Sequence, residues 1–233
     1  MDLISALVET GLTRHEARLY ILLSTDGAMS GYEAAKLTGM SRSNAYMALS
    51  GLTDKGGALR IEGDVQRYEA VPVHEYVTNK RRYFDQVLQV VEREMPLSKS
   101  AVEPYLTIRG RRHIIDKMKN MIDNAADRVY ISLPVAELRL VLPELSALRD
   151  RGGKVVIIAP PPFSFSGSIV YHHERHDSQV RLIADSAEIL TGEIASHADA
   201  SCLYSRHEVM VSLFKEAMKN EIRLIELKKG NEP

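Results

Sequence analysis

The sequence predicts two folded units of different class, α+β and then α/β, joined by a long helix. Three observations carry that reading. Residues 1–72 give a run of short capped helices followed by two strand-like runs around a turn. Residues 73–96 give one long amphipathic helix with apolar residues at heptad spacing. Residues 105–233 alternate strand, helix and strand, the order of an α/β domain with a mixed sheet. A chain of 233 residues is long enough for two modest domains, each with its own core.

In the first unit, Leu3, Ile4, Leu7 and Val8 recur at helical spacing and Gly11 stops the helix. Thr13 and Glu16 have capping-box spacing, in which the hydroxyl takes a free helix N–H and the carboxylate reaches back. They open a helix through about Thr25, ended by Asp26-Gly27. Ser30 and Glu33 form a second box, and Gly39 ends that short helix. Ser41 caps the next helix, whose buried side is predicted to be Ala45, Ala48, Leu49 and Leu52. Four helices thus precede the first predicted strand. Gly56-Gly57 breaks the last helix, and Leu59-Arg60-Ile61 and Arg67 to Val71 alternate around a tip at Glu62-Gly63-Asp64.

Two capped helices with a glycine turn, followed by a hairpin, make a winged helix-turn-helix, whose second helix reads DNA. The residues facing outward near the start of that helix are Ser41, Arg42, Ser43, Asn44, Tyr46 and Met47. Arg can pair with guanine and Asn with adenine, while Ser and Tyr can bond phosphates. Arg60, Gln66 and Arg67 are the wing's candidate phosphate contacts. Helix-turn-helix geometry also occurs in plain helical folds, but the two caps, the turn and the following hairpin coincide here. Charge argues the other way. Residues 1–72 hold seven Lys and Arg against nine Asp and Glu, so attraction to DNA must come from locally placed cations.

Pro72 punctuates, and a helix is predicted from about Val73 to Met95. Val77, Arg81, Phe84, Leu88, Val91 and Met95 are spaced alternately by four and three, with Arg81 the one polar member of the seam. Tyr76, Tyr83 and Val90 broaden the stripe. Such a helix can pack on its own domains or pair with its twin. The sustained heptads favour a homodimer with Val77, Phe84, Leu88, Val91 and Met95 at the interface. Pro96 ends the helix, and the polar stretch to Pro104 is expected to be a linker.

In the second unit a helix is predicted over Arg111 to Asp127, a buried strand over Val129 to Leu133, and one helix over Glu137 to Arg151. A second buried strand, Val155 to Ala159, completes a βαβ unit with parallel strands. Pro160 to Ser168 is a loop, and Ile169 to Tyr171 a short strand. Val180 to Ala184 and Glu188 to Thr191 form a hairpin about Asp185-Ser186. Ala200 to Tyr204 reads as a strand, and a helix from about His207 to Lys219 leads into Ile222 to Leu227. The Pro160 to Ser168 loop leaves the end of a buried strand, where α/β folds place ligands, so Phe163 and Phe165 are candidate walls of an effector pocket. Asp185, at its strand end, is a third candidate effector residue.

The single cysteine, Cys202, cannot form an intrachain disulfide, and no signal peptide or membrane-spanning run is evident, so a cytoplasmic protein is expected. Tyr171 to Asp177 concentrates His172, His173, Glu174, His176 and Asp177, with His197, Asp199, Cys202 and His207 downstream. His172 and His176 would share a face if that segment were helical, a geometry a transition metal could use. No clean Cys/His spacing accompanies them, so a solvated loop is the expectation, with no metal and no cofactor.

Leu12 to Tyr20, Met40 to Tyr46, the glycine break, Arg67 to Pro72 and the long helix together resemble the TrmB family of transcriptional regulators. That resemblance implies a winged-helix DNA-binding domain, a coiled-coil dimerisation helix and a C-terminal effector domain. The sugar-responsive archaeal members carry a further C-terminal sugar-binding domain for which this length leaves no room, so the sugar assignment is not carried over. The second unit resembles, more weakly, the phospholipase D-like fold found in this family. Catalysis there uses a His-x-Lys-x4-Asp motif. With Asp185 as its Asp, the other positions hold Ser178 and Val180, which supply neither nucleophile nor phosphate-binding cation. The expectation is therefore a homodimeric, sequence-specific regulator of transcription that binds double-stranded operator DNA and answers a small-molecule effector. It is not expected to be an enzyme. The alternatives are a phosphodiesterase-like enzyme carrying a helix-turn-helix, and a metal-sensing regulator.

Overall fold

The computed structural model describes residues 1–96, 105–173, 178–194 and 200–230. The chain divides into two compact units, Met1–Lys99 and Ser100–Pro233. Among the described residues no helix is long and apolar enough to cross a membrane.

In the first unit α1 (Leu3–Glu9) is capped by Asp2, whose carboxylate accepts the Ser5 N–H at 2.7 Å. Helix α2 (Arg14–Asp26) opens on the capping box of Thr13 and Glu16, and α3 (Gly31–Thr38) on that of Ser30 and Glu33. Each cap satisfies backbone donors that would otherwise be orphaned, worth about 1 kcal/mol apiece. Gly39 ends α3 in the left-handed region, at φ 70°, and Ser41 caps α4 (Arg42–Asp54). Strands β2 (Ala58–Ile61) and β3 (Arg67–Ala70) form the hairpin. A two-residue strand, β1 (Met29–Ser30), pairs antiparallel with β3, giving the order β1-β3-β2. A strand therefore intervenes among the helices, contrary to the sequence reading. Two residues are too few to show alternation, and their partner lies far along the chain.

The core of this unit gathers Leu7, Leu19, Tyr20, Leu23, Ala34, Leu49, Leu52 and Tyr68, all buried. Gly51 sits inside α4, where glycine costs roughly 1 kcal/mol relative to alanine. The reason is packing, since a Cβ there would collide with the carboxylate of Glu16. That carboxylate is buried, closes the Thr13 box, and accepts the Lys55 ammonium at 2.7 Å, tying α2 to the end of α4. Helix α5 (Val73–Glu94) follows. Its first turn is locked down by Tyr76, which is buried, bonds Thr10 Oγ1 at 2.6 Å and lies 4.9 Å from the Tyr20 ring.

The second unit is built on a seven-stranded sheet of order β4-β10-β9-β8-β5-β6-β7. Its strands are β4 (Leu106–Arg109), β5 (Arg128–Ser132), β6 (Lys154–Ala159), β7 (Ile169–His172), β8 (Gln179–Ala184), β9 (Glu188–Glu193) and β10 (Ser201–Ser205). β5, β6 and β7 are parallel to one another, and the other pairings are antiparallel, so the sheet is mixed as expected. Edge strand β4 went unread because four residues beside a polar stretch give little pattern. Helix α6 (Arg111–Asn124) covers one face together with α7 (Val135–Leu140) and α8 (Leu142–Asp150). The sequence reading had a single helix from 137 to 151. Pro143 breaks it, because it lacks the N–H that would continue the first helix and fits the opening turn of the second, and Val141 between the two adopts φ −111°, ψ 3°. Helix α9 (Glu208–Gly230) is continuous and covers the opposite face through Val211, Met218 and Ile225.

Candidate nucleic-acid interface

The reading face of α4 exists because its other face is fully engaged. Ala45, Ala48, Leu49 and Leu52 are buried, leaving Arg42, Ser43, Asn44, Tyr46 and Met47 exposed on the opposite side. Ser41 Oγ accepts the Asn44 N–H at 3.2 Å, so Ser41 holds the helix start while its hydroxyl hydrogen remains a donor. Met47 is 65% exposed, an apolar group open to a ligand. Tyr46 is partly structural. Its ring lies against Gly31 so closely that no Cβ fits there, which sets the approach of α3 to α4.

Arg42 meets a neighbour the sequence reading missed. Its guanidinium lies over the ring of Tyr32, 4.7 Å from the centroid, and Tyr32 is itself half exposed on the first turn of α3. This cation–π contact limits the rotamers of a long, flexible side chain before any ligand arrives. The only sequence cue was position, since Tyr32 follows the cap of the helix preceding the reader.

The wing residues divide. Arg67 donates from Nη2 to the Ala28 carbonyl at 2.5 Å and lies 4.0 Å from Glu33. Gln66 donates to the Tyr68 hydroxyl at 3.0 Å. Both side chains therefore brace β3 with part of their polar groups, while remaining exposed. Glu33 accepts the backbone N–H and the hydroxyl of Ser30, and these bonds, with Arg67 nearby, hold its carboxyl below the usual range. Arg60 is exposed and lies 3.8 Å from a still more exposed Glu62, a surface pair worth little. Leu59, Ile61 and Val65 add exposed apolar side chains to the hairpin's surface.

Along α5, Val77, Phe84, Leu88, Val91 and Met95 are between 39% and 62% exposed, and Tyr76 is the one buried residue of the helix. Within the first unit these seam side chains stay largely exposed. The linker expected up to Pro104 lies outside the described residues from 97 to 104.

The expected effector residues have other work. Phe163 and Phe165 pack against the core, and the Arg149 guanidinium lies 5.1 Å over the Phe165 ring while bonding the Ser166 carbonyl at 2.6 Å. Their loop carries the chain between parallel strands β6 and β7. Asp185 sits in the β8–β9 turn at φ 50°, followed by Ser186 at φ 57°. Its carboxylate accepts the N–H groups of Ala126, Asp127 and Arg128 at 2.7–2.9 Å. Burial would raise its pKa, but those three bonds hold it below the usual range. A carboxylate so engaged clamps the start of β5.

The helical His172–His176 pairing is also corrected at its described end, since His172 closes strand β7. Residues 174–177 and 195–199 lie outside the described residues, and with them Glu174, His176, Asp177, His197 and Asp199. Cys202 is buried in the core, where burial pushes its thiol up to about 11, and the His207 ring stacks on Tyr105. Among the described residues no three His, Cys, Asp or Glu side chains cluster as a metal site would need. Val180 is fully buried.

Two family models match the chain. Residues 7–74 match "Sugar-specific transcriptional regulator TrmB", and residues 105–214 match "Transcriptional regulator TrmB, EBD N-terminal subdomain". A curated relative, the uncharacterized protein YrhO of Bacillus subtilis, is 25% identical over 240 residues, covering 98% of this chain and 87% of its own. Among solved structures, the archaeal chromatin protein TrmBL2, whose structure is described as showing a novel mode of DNA binding, is 19% identical. It covers 94% of this chain and 96% of its own, with a TM-score of 0.46. NucT from Helicobacter pylori is 13% identical over 50% of this chain and 94% of its own, with a TM-score of 0.38. Likenesses at those scores carry no functional inference.

Proposed function

This chain belongs to the TrmB family of transcriptional regulators, and from that premise we propose that it binds operator DNA as a homodimer through α4. The observation that carries the proposal is the first half of α4. Four exposed side chains of differing chemistry, Arg42, Ser43, Asn44 and Met47, stand on a helix whose other face is buried. Arg42 and Asn44 have the donor groups that distinguish purines in the major groove. Tyr46, Ser41 and Arg60 are assigned to phosphates. Gln66 and Arg67 are reassigned to bracing the wing.

The seam of Val77, Phe84, Leu88, Val91 and Met95 is assigned to the dimer. Its exposed apolar length and heptad spacing support pairing with a second copy. A twofold dimer would set two α4 helices about 34–36 Å apart, so the operator is a near-palindrome with half-sites one turn apart. Residues 105–233 are assigned to effector control, in a phospholipase D-like arrangement that lacks phosphodiesterase chemistry because Ser178 and Val180 replace its His and Lys. No catalysis is proposed, and a cytoplasmic location fits the reading.

Selection of bound sequences from random DNA, followed by gel-shift titration, tests this. An enriched palindrome bound by the dimer is expected. Binding without sequence preference, or by a monomer on a single half-site, would contradict it.

A further inference from the structure

A cleft of about 670 Å3 opens in the first unit between the end of α4 and the first half of α5. Its lining includes Lys55, Tyr76, Asn79, Lys80, Tyr83 and Phe84. That size lies within the range of small-molecule sites, and the composition matches them: aromatic walls with a few polar groups. We propose that this cleft binds a small organic monoanion, an aromatic or aryl-substituted carboxylate, with Lys80 as its counter-ion.

Lys80 carries the charge argument. Its ammonium lies over the Tyr76 and Tyr83 rings, at 5.4 and 6.0 Å, and makes no ion pair with a described carboxylate. Burial, and then the positive charge of Lys55, disfavour its protonated form, with the Glu16 charge acting the other way. A carboxylate entering the cleft would supply a direct counter-charge that favours the ammonium, while its aryl group would lie against Tyr83 and Phe84. Lys55 is already committed to Glu16 at 2.7 Å. Asp54, exposed and also on the lining, is a further carboxylate beside the two lysines. Lys80 is thus the one lysine of the lining without a close described carboxylate, enough for a monoanion, and the Asp54 charge disfavours a phosphate dianion.

Position gives the site a regulatory consequence, which rests on the operator-binding reading above. One wall is the C-terminal end of the recognition helix, and the other belongs to the helix bearing the dimer seam. Phe84 belongs to both cleft and seam. An occupant would change how α4 is held relative to α5, and so the spacing of the two reading helices.

The test is calorimetric titration of the full chain with phenylacetate and indole-3-acetate, with phenylacetamide and acetate as controls. At least one aryl acid is expected to bind with Kd below about 1 mM. Phenylacetamide, acetate and the K80M and Y83A variants should each weaken binding by roughly tenfold or more. Thermal unfolding of each variant within a few degrees of the parent, on the order expected for surface changes, shows that the fold is intact. Two results overturn the site: no acid binds, as when the partner's helix fills the cleft, or binding survives both substitutions unchanged. Operator affinity is then measured with and without saturating acid. An acid that binds but leaves that affinity unchanged overturns the regulatory half alone. Failure of DNA binding itself would count against the operator reading and leave the calorimetric result standing.

Discussion

The first half of α4 and the hairpin that follows it both carry the polar residues a DNA-binding surface needs, yet the two use them differently. On α4 the polar side chains project from a helix whose packing is completed by Ala45, Ala48, Leu49 and Leu52, so they remain available. On the hairpin, Arg67 and Gln66 are tied to their own domain, through the Ala28 carbonyl and the Tyr68 hydroxyl. Counting cations along the chain treats Arg42 and Arg67 as equals. Their surroundings do not. For an acidic domain the distinction decides where DNA can be held, because few cations are in reserve.

The largest effect that would break this contrast is on the buried side of α4. Leu49→Ala removes a fully buried side chain and is expected to cost about 2–5 kcal/mol of stability, measured by denaturant unfolding. A loss below about 0.5 kcal/mol, the range of ordinary surface changes, would mean that the reading face is not held by its packing. Next comes Arg42→Ala, expected to weaken operator binding by about 1–3 kcal/mol with stability nearly unchanged. Arg67→Ala should do the reverse, costing about 0.5–1.5 kcal/mol of stability and altering DNA affinity only slightly. If instead Arg67→Ala abolished binding in gel shifts and left unfolding untouched, the wing would be a primary contact. Arg60→Ala should lower the salt slope of binding by about one, uniformly across sequences.

The smallest expected effect is on pH dependence. The Glu33 carboxyl is held below its ordinary value by Ser30, so its contribution to stability is present above the ordinary carboxylate range. It is lost as the pH falls through the lowered folded value. Glu33→Gln should flatten the stability profile in that acid window and leave neutral pH nearly unchanged. An unaltered profile would show that the Ser30–Glu33–Arg67 brace carries no linked protonation.

Most of the first unit was legible because its determinants are local. The boxes at Thr13–Glu16 and Ser30–Glu33 and the glycine at 39 lie within a few residues of what they control. Strand β1 was not legible, because its register depends on residues 67 and 68. Pro143 was a local signal overlooked under the longer apolar periodicity around it. The surroundings of the candidate effector residues were hidden from the sequence for one reason. Asp185 looks like an exposed turn carboxylate in sequence, but its partners are backbone groups of residues 126–128. Phe163 and Phe165 likewise look like loop aromatics until the core lies beneath them. Sequence shows which groups a chain carries, and tertiary packing shows which remain available.

The central claim is that the exposed turn of α4 reads sequence, and the most direct measurement compares base preferences selected from random DNA by the parent chain and by Arg42→Ala. The account predicts a near-palindrome with half-sites about 10 base pairs apart, and loss of preference at one matching position in each half for the variant. An unchanged pattern of preferences in the variant, or no enriched sequence for the parent, would contradict it.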